Sequence, residues 1–192
     1  AIAYGHSEQV LGHAGVDGFQ VISKLPLIPE AVTNVKDWIF REVSGSLSRL
    51  GTKSLYGLML HRPAQIYGSV GEKILASLED LKESGLVRNL GVSVYDPSEL
   101  DKLLCLFDFD IVQCPLNLLD RRLVNSGWLD KLKANGGLRC IPGQAFYKAC
   151  YLWKEMRFPV NSRSGSIIGT SGTNGCKIIM SQDFAAAYHI VL

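Results

Sequence analysis

The sequence predicts an α/β fold, and within that class part of a (β/α)8 barrel. Short apolar runs typical of strands alternate with segments of helical spacing, which favours a parallel sheet. No glycine-rich phosphate-binding motif follows any predicted strand, which disfavours an open nucleotide-binding sheet. The chain has 192 residues, whereas a whole barrel takes about 250 residues and at least about 200. We therefore expect an incomplete TIM-type barrel.

The first predicted elements are a helix, a strand and a second helix. Tyr4–Gly12 carries polar residues followed by apolar ones, which is typical of a short helix. Phe19–Lys24 is a short β-rich run that two prolines follow, and it predicts a buried strand. Glu30–Leu50 has apolar residues at helical spacing, and Gly51 ends this second helix.

Three further strands follow, each with a helix behind it. The predicted strands are Leu55–Leu60, Asn89–Ser93 and Asp110–Cys114. The predicted helices are Val70–Ser84, one that starts at Pro97, and Val124–Ala134. Proline is favoured in the first turn of a helix, which supports the start at position 97. Strands that alternate with helices in this way run parallel, so their carboxyl ends meet at one edge.

A polar side chain lies at the carboxyl end of each predicted strand. These residues are Lys24, His61, Ser93 and Gln113. In a barrel, chemistry takes place at the carboxyl ends of the strands. Each residue taken alone also has an ordinary explanation, as a solvated lysine, a structural histidine or a helix-capping serine. Their convergence makes this edge the candidate active site.

Composition excludes several classes of protein. With 47% hydrophobic residues the chain can bury a core, which excludes a disordered linker. The formal net charge is only +2, so we expect no nucleic-acid partner and no acidic membrane surface as a partner. No unbroken apolar window of about 18 residues occurs, so we expect no transmembrane helix. We expect a cytoplasmic protein.

Cysteine and histidine spacing predicts no metal site. The five cysteines contain no C-x-x-C pair, so zinc ribbons and a disulfide framework are poor interpretations, and reduced thiols are expected. His6, His13 and His189 lack ligand spacing with acidic partners. Surface positions explain these histidines more simply.

The motifs together resemble the aldo-keto reductase family. Residues 1–12 read Ala-Ile-Ala-Tyr-Gly-His-Ser-Glu-Gln-Val-Leu-Gly, which is similar to the family signature Asp-Thr-Ala-x-x-Tyr-Gly-x-Ser-Glu-x-x-Leu-Gly. The other matching segments are Val21–Lys24, Leu58–Pro63, Gly85–Ser93 and Val112–Asn117. The resemblance covers Ala1 to about Gly136 in order and spacing, and the motifs are specific only in combination.

The resemblance implies an oxidoreductase that uses NADPH, with NADH as the alternative. Hydride would pass to an aldehyde or ketone, or back from an alcohol, so the implied partner is a small carbonyl or alcohol. Tyr4 would act as general acid, and the Lys24 ammonium would lower the pKa of this phenol. His61 would orient the carbonyl. Ser93 and Gln113 would hold the nicotinamide carboxamide.

Two features depart from the family pattern near the start of the chain. The family's catalytic aspartate precedes its tyrosine by five residues, and counting back from Tyr4 places it before Ala1. The first two barrel strands are expected to be absent as well. Without that carboxylate, Lys24 loses its usual partner, and an unpaired buried ammonium is costly.

A third departure lies after the strand that ends at Ser93. Val94 stands where many members have asparagine, which weakens the carboxamide site.

The end of the chain departs differently, and we divide it into three parts. Residues 1–136 form the partial barrel, 137–184 resemble nothing in the family, and 185–192 resemble it again. Residues 138–184 show no strand–helix rhythm. When their degenerate codons are read from the third base, residues 146–156 permit Leu-Gln-Gly-Leu-Leu-Phe-Met-Glu-Arg-Asp, which is similar to the family. We hypothesise a frame shift near residues 136–138. An uninterrupted reading frame in the parent nucleotide sequence would disprove it.

Other functional interpretations stay open. The chain is alternatively an inactive barrel fragment or pseudoenzyme that acts at most as a binding module. It is also compatible with an isomerase or hydrolase that uses Lys24 and His61, although neither chemistry explains the Tyr4 motif. Because the loops that hold the cofactor's adenosine phosphate fall in the altered segment, we expect this chain to bind the cofactor poorly.

Overall fold

A parallel sheet of five strands organises the protein. A computed structural model of the chain describes residues 1–2, 4–117, 120–134, 138–143, 166–169 and 178–181, the last two ranges as backbone only. The parallel strands are β1 (Ile22–Leu25), β2 (Leu55–Leu60), β3 (Val87–Ser93), β4 (Ile111–Pro115) and β5 (Arg139–Gly143). They lie in the order β1–β2–β3–β4–β5. An open doubly wound sheet reverses its strand order at a switch point, and the described strands show no reversal. The prediction of a partial barrel is confirmed.

Helices connect the strands. They are α1 (Ser7–Ala14), α2 (Val35–Leu50), α3 (Gly71–Glu83), α4 (Leu100–Leu106), α5 (Arg122–Asn125) and α6 (Trp128–Ala134). Short 3₁₀ helices at Pro63–Tyr67 and Pro97–Glu99 follow β2 and β3. The predicted helix that starts at Pro97 therefore begins as a 3₁₀ turn, where the side chains of Asp96 and Glu99 form a capping box.

Two helix boundaries differ from the predicted ones because of local backbone chemistry. The helix expected over Glu30–Leu50 begins only at Val35, where the Asn34 side chain accepts a hydrogen bond from the Asp37 amide (3.2 Å). The helix expected over Val124–Ala134 is divided into α5 and α6. Gly127 lies between them with a φ of 75°, a left-handed conformation that interrupts a helix.

The main core fills the space between the sheet and its helices. Each strand contributes side chains to it, such as Leu58 and Leu60 from β2. The helices contribute Ile39, Ile74 and Leu103, all of them fully buried. Because β2 is buried along almost its whole length, it is covered on both faces, as strands of parallel sheets are.

A second, smaller cluster lies on the other face of the sheet, and we call it the inner cluster. Its members are Ile22, Met59, Ile111 and Ile141. Gly91 lies beside it, and a Cβ atom there would come within 2.6 Å of the Ile111 carbonyl oxygen. The absence of a side chain at position 91 therefore allows β3 to pack closely against β4.

The sheet continues beyond the expected end of the partial barrel at residue 136. β5 pairs with β4 in parallel, with Gln113 opposite Ile141, so the strand pattern extends past the point where we expected it to stop. The segment around Ile141 is short, and it is held in the sheet because Ile141 packs in the inner cluster. Further on, β6 (Ser166–Gly169) and β7 (Ile178–Ser181) pair antiparallel. Residues 185–192 lie outside the described residues, and the frame-shift hypothesis stays a prediction.

None of the helices in the described part of the chain is both long and apolar enough to span a bilayer.

Candidate active site

Side-chain alternation brings the four predicted strand-end residues to one face of the sheet. Lys24 and Gln113 each lie two residues beyond a member of the inner cluster, so they share its face. His61 follows β2 and extends its pairing, since its amide donates to the Leu25 carbonyl (3.0 Å). Ser93 lies directly opposite Gln113 in the β3–β4 register. The inner cluster is therefore the apolar floor beneath these four polar side chains.

Tyr4 joins this group from the loop that precedes α1. Its hydroxyl lies 3.4 Å from Nε2 of His61, and the two rings are tilted by 54° with centroids 5.7 Å apart. Burial lowers the pKa of His61, and the nearby charges of Lys24 and Arg62 lower it further. The imidazole is therefore neutral at pH 7, with one ring nitrogen protonated and the other able to accept a proton.

A chain of hydrogen bonds links the other three predicted residues. The Lys24 ammonium donates to the Ser93 hydroxyl (3.4 Å), and this hydroxyl donates to Oε1 of Gln113 (3.2 Å). The structure thus brings Tyr4, Lys24, His61, Ser93 and Gln113 into one cluster, as the sequence predicts.

Lys24 is the most strongly perturbed member of the cluster. Burial lowers the pKa of its ammonium to about 8. Its Nζ lies 5.9 Å from the centroid of the Tyr4 ring. Among the residues that the structure describes, no carboxylate lies within ion-pair distance of this ammonium.

The expected effect of Lys24 on Tyr4 differs from the observed one. We expected the ammonium to lower the pKa of the phenol. Instead, burial raises the pKa of Tyr4, the neighbouring Tyr95 raises it further, and Arg62 opposes the rise. The desolvation of the phenolate outweighs the opposing charge of Arg62. Tyr4 consequently carries its proton throughout the neutral range.

Glu8 holds the loop of Tyr4 in place, a role that the sequence did not reveal. Only 1% of this residue is exposed. Oε1 accepts from Ser23 (2.7 Å) and Ser46 (2.8 Å), and Oε2 accepts from Nε (2.9 Å) and Nη2 (2.8 Å) of Arg49. The carboxylate therefore ties α1 to both β1 and α2. The only sequence signal was a glutamate in the Ser-Glu motif of α1, because its partners lie 15 to 41 positions away.

Gly12 of the same motif allows α1 to approach α2. A Cβ atom at this position would lie 2.1 Å from the carbonyl oxygen of Arg49. Only a residue without a side chain permits this backbone contact. The Ser-Glu-x-x-Leu-Gly part of the motif is thus structural, whereas Tyr4 faces the cluster.

The described residues contain no group of three or more His, Cys, Asp or Glu side chains arranged to hold a metal ion. The groups that the cluster offers are a protonated phenol, a neutral imidazole and a desolvated ammonium.

Comparison with known proteins assigns the fold to a family. The family model described as the aldo/keto reductase family matches residues 1–155. The chain belongs to this family. The matched range includes β5, beyond the resemblance noted up to about residue 136. A search of curated proteins returned no match.

Solved aldo-keto reductases share the fold at low sequence identity. The holo form of an aldo-keto reductase from Bacillus halodurans superposes with a TM-score of 0.61 at 22% identity, over 83% of this chain and 54% of that chain. An aldo/keto reductase from Klebsiella pneumoniae, solved with NADP and acetate, gives a TM-score of 0.56 at 22% identity, over 76% of this chain and 50% of that chain. The chain therefore spans about half the length of these relatives.

Proposed function

We propose that the protein is an oxidoreductase that transfers a hydride between NADPH, or NADH, and an aldehyde or ketone. The observation that carries the proposal is the contact of Tyr4 with His61 beside the Lys24–Ser93–Gln113 chain. The partner is a small carbonyl compound or the corresponding alcohol, and the family membership supports this reaction class.

The donor set around Ser93 and Gln113 fits a nicotinamide carboxamide. This group is planar, with one acceptor and two donor hydrogens. The hydroxyl of Ser93 and the amide of Gln113 lie side by side and offer both donor and acceptor atoms. When bound there, the nicotinamide would supply the hydride. Ser93 and Gln113 would hold the carboxamide, and the inner cluster lies on the same face of the sheet as these two residues.

Tyr4 is proposed to give its proton to the carbonyl oxygen. Its raised pKa keeps the phenol protonated, so a proton is available at neutral pH. The His61 imidazole, 3.4 Å from the phenol, would donate a hydrogen bond that fixes the direction of the carbonyl. Lys24 would stabilise the phenolate left after proton transfer, through its charge rather than through a direct bond.

The second candidate function is that of an inactive fragment or pseudoenzyme that acts at most as a binding module. In this alternative the cluster of Tyr4, Lys24, His61, Ser93 and Gln113 would bind a ligand without turning it over.

The test is NADPH binding by fluorescence quenching, followed by reduction of a generic aldehyde by the full chain. Removal of a general acid costs about 10²- to 10⁴-fold in rate, so Tyr4→Phe should abolish measurable turnover and leave NADPH binding intact. Tyr67→Phe is the matched control, because this tyrosine is half-exposed on the 3₁₀ turn after β2. Full activity of Tyr4→Phe would disprove the proton-donor assignment. NADPH binding without turnover in the unmodified chain would favour the binding module.

A further inference from the structure

Arg62 directly follows His61 and lies at the mouth of the candidate site. Its side chain is exposed, and its Cζ lies 5.8 Å from the centroid of the Tyr95 ring. Tyr95 is 48% exposed and comes two residues after the end of β3. Both residues therefore lie at the carboxyl edge of the sheet, next to the Tyr4–His61 contact.

The charge of Arg62 acts on both groups that would meet a carbonyl oxygen. It lowers the pKa of His61 and opposes the rise in the pKa of Tyr4. Arg62 also directly follows His61 in the chain, and its Cζ lies 5.8 Å from the centroid of the Tyr95 ring. Its guanidinium is therefore placed at the same carboxyl edge of the sheet as Tyr4 and His61.

No carboxylate of the described residues neutralises Arg62. The nearby carboxylates have other partners: Asp96 pairs with Arg122 (2.8 Å), and Glu99 accepts from the Tyr95 amide (3.0 Å). A guanidinium within about 6 Å of an aromatic ring centroid is attracted to the face of the ring. It also carries five N–H donors in a planar fork, which match the two oxygens of a carboxylate.

We propose that Arg62, whose Cζ lies 5.8 Å from the centroid of the Tyr95 ring, binds a carboxylate on the substrate, so that the preferred substrates are aldehydes or ketones that carry an acid group. This inference rests on the proposed function, because Tyr4 and His61 must hold the carbonyl. A planar or aromatic substrate would reach from the carbonyl site at Tyr4 and His61 to the carboxylate site at Arg62. It would pack beside the half-exposed Tyr95 ring.

The experiment compares 4-carboxybenzaldehyde with its neutral methyl ester, methyl 4-formylbenzoate. We expect kcat/KM for the acid to exceed that for the ester by about tenfold at low salt, the scale of one charge-assisted pair at an accessible site. In Arg62→Gln the preference for the acid should disappear. In Arg62→Lys it should be intermediate, because an ammonium keeps the charge but lacks the two parallel N–H donors of a guanidinium. Arg41→Gln, an exposed arginine on the outer helix α2, should keep the preference of the unmodified chain. An equal acid-to-ester ratio in the unmodified chain and Arg62→Gln would overturn the inference.

Binding of the alcohol products separates this inference from the proposed function. 4-(Hydroxymethyl)benzoate and its methyl ester are titrated by calorimetry into the NADP-saturated chain and into the chain alone. If neither aldehyde is reduced, the proposed function fails, while tighter binding of the acid that Arg62→Gln removes still supports the subsite. If the acid and the ester bind equally, the subsite is disproved whatever the turnover.

Discussion

Two neighbouring residues of β1 show how differently the protein treats buried charge on the two faces of its sheet. Ser23 points to the outer face and donates to the Glu8 carboxylate, which also accepts from Ser46 and Arg49. Lys24 points to the inner face, where a single hydroxyl accepts from its ammonium at 3.4 Å. Both oxygens of the Glu8 carboxylate, the outer charge, therefore accept hydrogen bonds. The Lys24 ammonium, the inner charge, is desolvated, and its pKa is lowered.

The two buried charges differ in the number of groups that hold them, and this number distinguishes a structural group from a candidate functional one. A buried carboxylate with several donors rigidifies its surroundings. A buried amine with few partners is unstable in its charged form, and such perturbed groups cluster at functional sites. The outer network ties α1, which follows Tyr4, to β1 and α2, and the inner group lies in the cluster that we propose as the active site.

Removal of the outer charge should have the largest effect. Glu8→Gln leaves Arg49 without its carboxylate in a mostly buried network, so we expect a loss of about 3 kcal/mol in the free energy of unfolding. Urea denaturation followed by circular dichroism measures it. Glu79→Gln, an exposed position on α3, should change stability by less than about 0.5 kcal/mol. Equal effects of the two substitutions would show that the Glu8 network contributes nothing special.

The close contact of α1 with α2 on the same outer face gives the next largest effect. Gly12→Ala drives a Cβ atom into the Arg49 carbonyl oxygen and should cost about 1 to 3 kcal/mol. Gly45→Ala on α2 is the control, because its Cβ would meet the end of the Arg49 side chain, at 3.0 Å, and no backbone atom. This substitution should cost less than Gly12→Ala, because a small shift of the guanidinium relieves the contact and alanine favours a helix over glycine by up to about 1 kcal/mol. Equal losses of stability in thermal unfolding of the two variants would contradict this interpretation.

The charge on Lys24 should make the free energy of unfolding depend on pH. The pKa of Lys24 is about 8 in the folded chain against 10.5 as the ordinary value, so the unfolded chain binds more protons between these pH values. Stability should therefore rise with pH across this window by about 1 to 3 kcal/mol, after allowance for partial solvent screening. Lys24→Met removes a charge that is costly at neutral pH and should flatten the rise. A rise of equal size in both chains would assign it to other groups.

The local pattern of apolar residues predicted most of the strands and helices. The strand predicted over Leu55–Leu60 coincides with β2, and α2 ends at Gly51 as expected, with a φ of 68°. The differences arise where one residue decides a boundary, such as the cap at Asn34 or the break at Gly127. Caps and left-handed residues act over one turn, and the period of apolar residues does not report them.

The candidate site was predictable in membership and only partly in chemistry. Tyr4, Lys24, His61, Ser93 and Gln113 form one cluster because parallel strands end at the same edge and side chains alternate. The direction of the Tyr4 pKa was predicted wrongly, since it depends on how much water the fold removes from the phenol. That quantity is a property of packing and is not encoded at any one position.

By itself, the sequence determined the family, the order of strands and helices, and which side chains stand at the strand ends, since these follow from local periods and motif spacing. Only the tertiary structure decided that several donors converge on the buried Glu8 carboxylate, that Lys24 has no carboxylate partner among the described residues, and that Arg62 lies near the Tyr95 ring. These features join residues up to 41 positions apart. They depend on burial and distance, which arise only when the strands and helices are packed together.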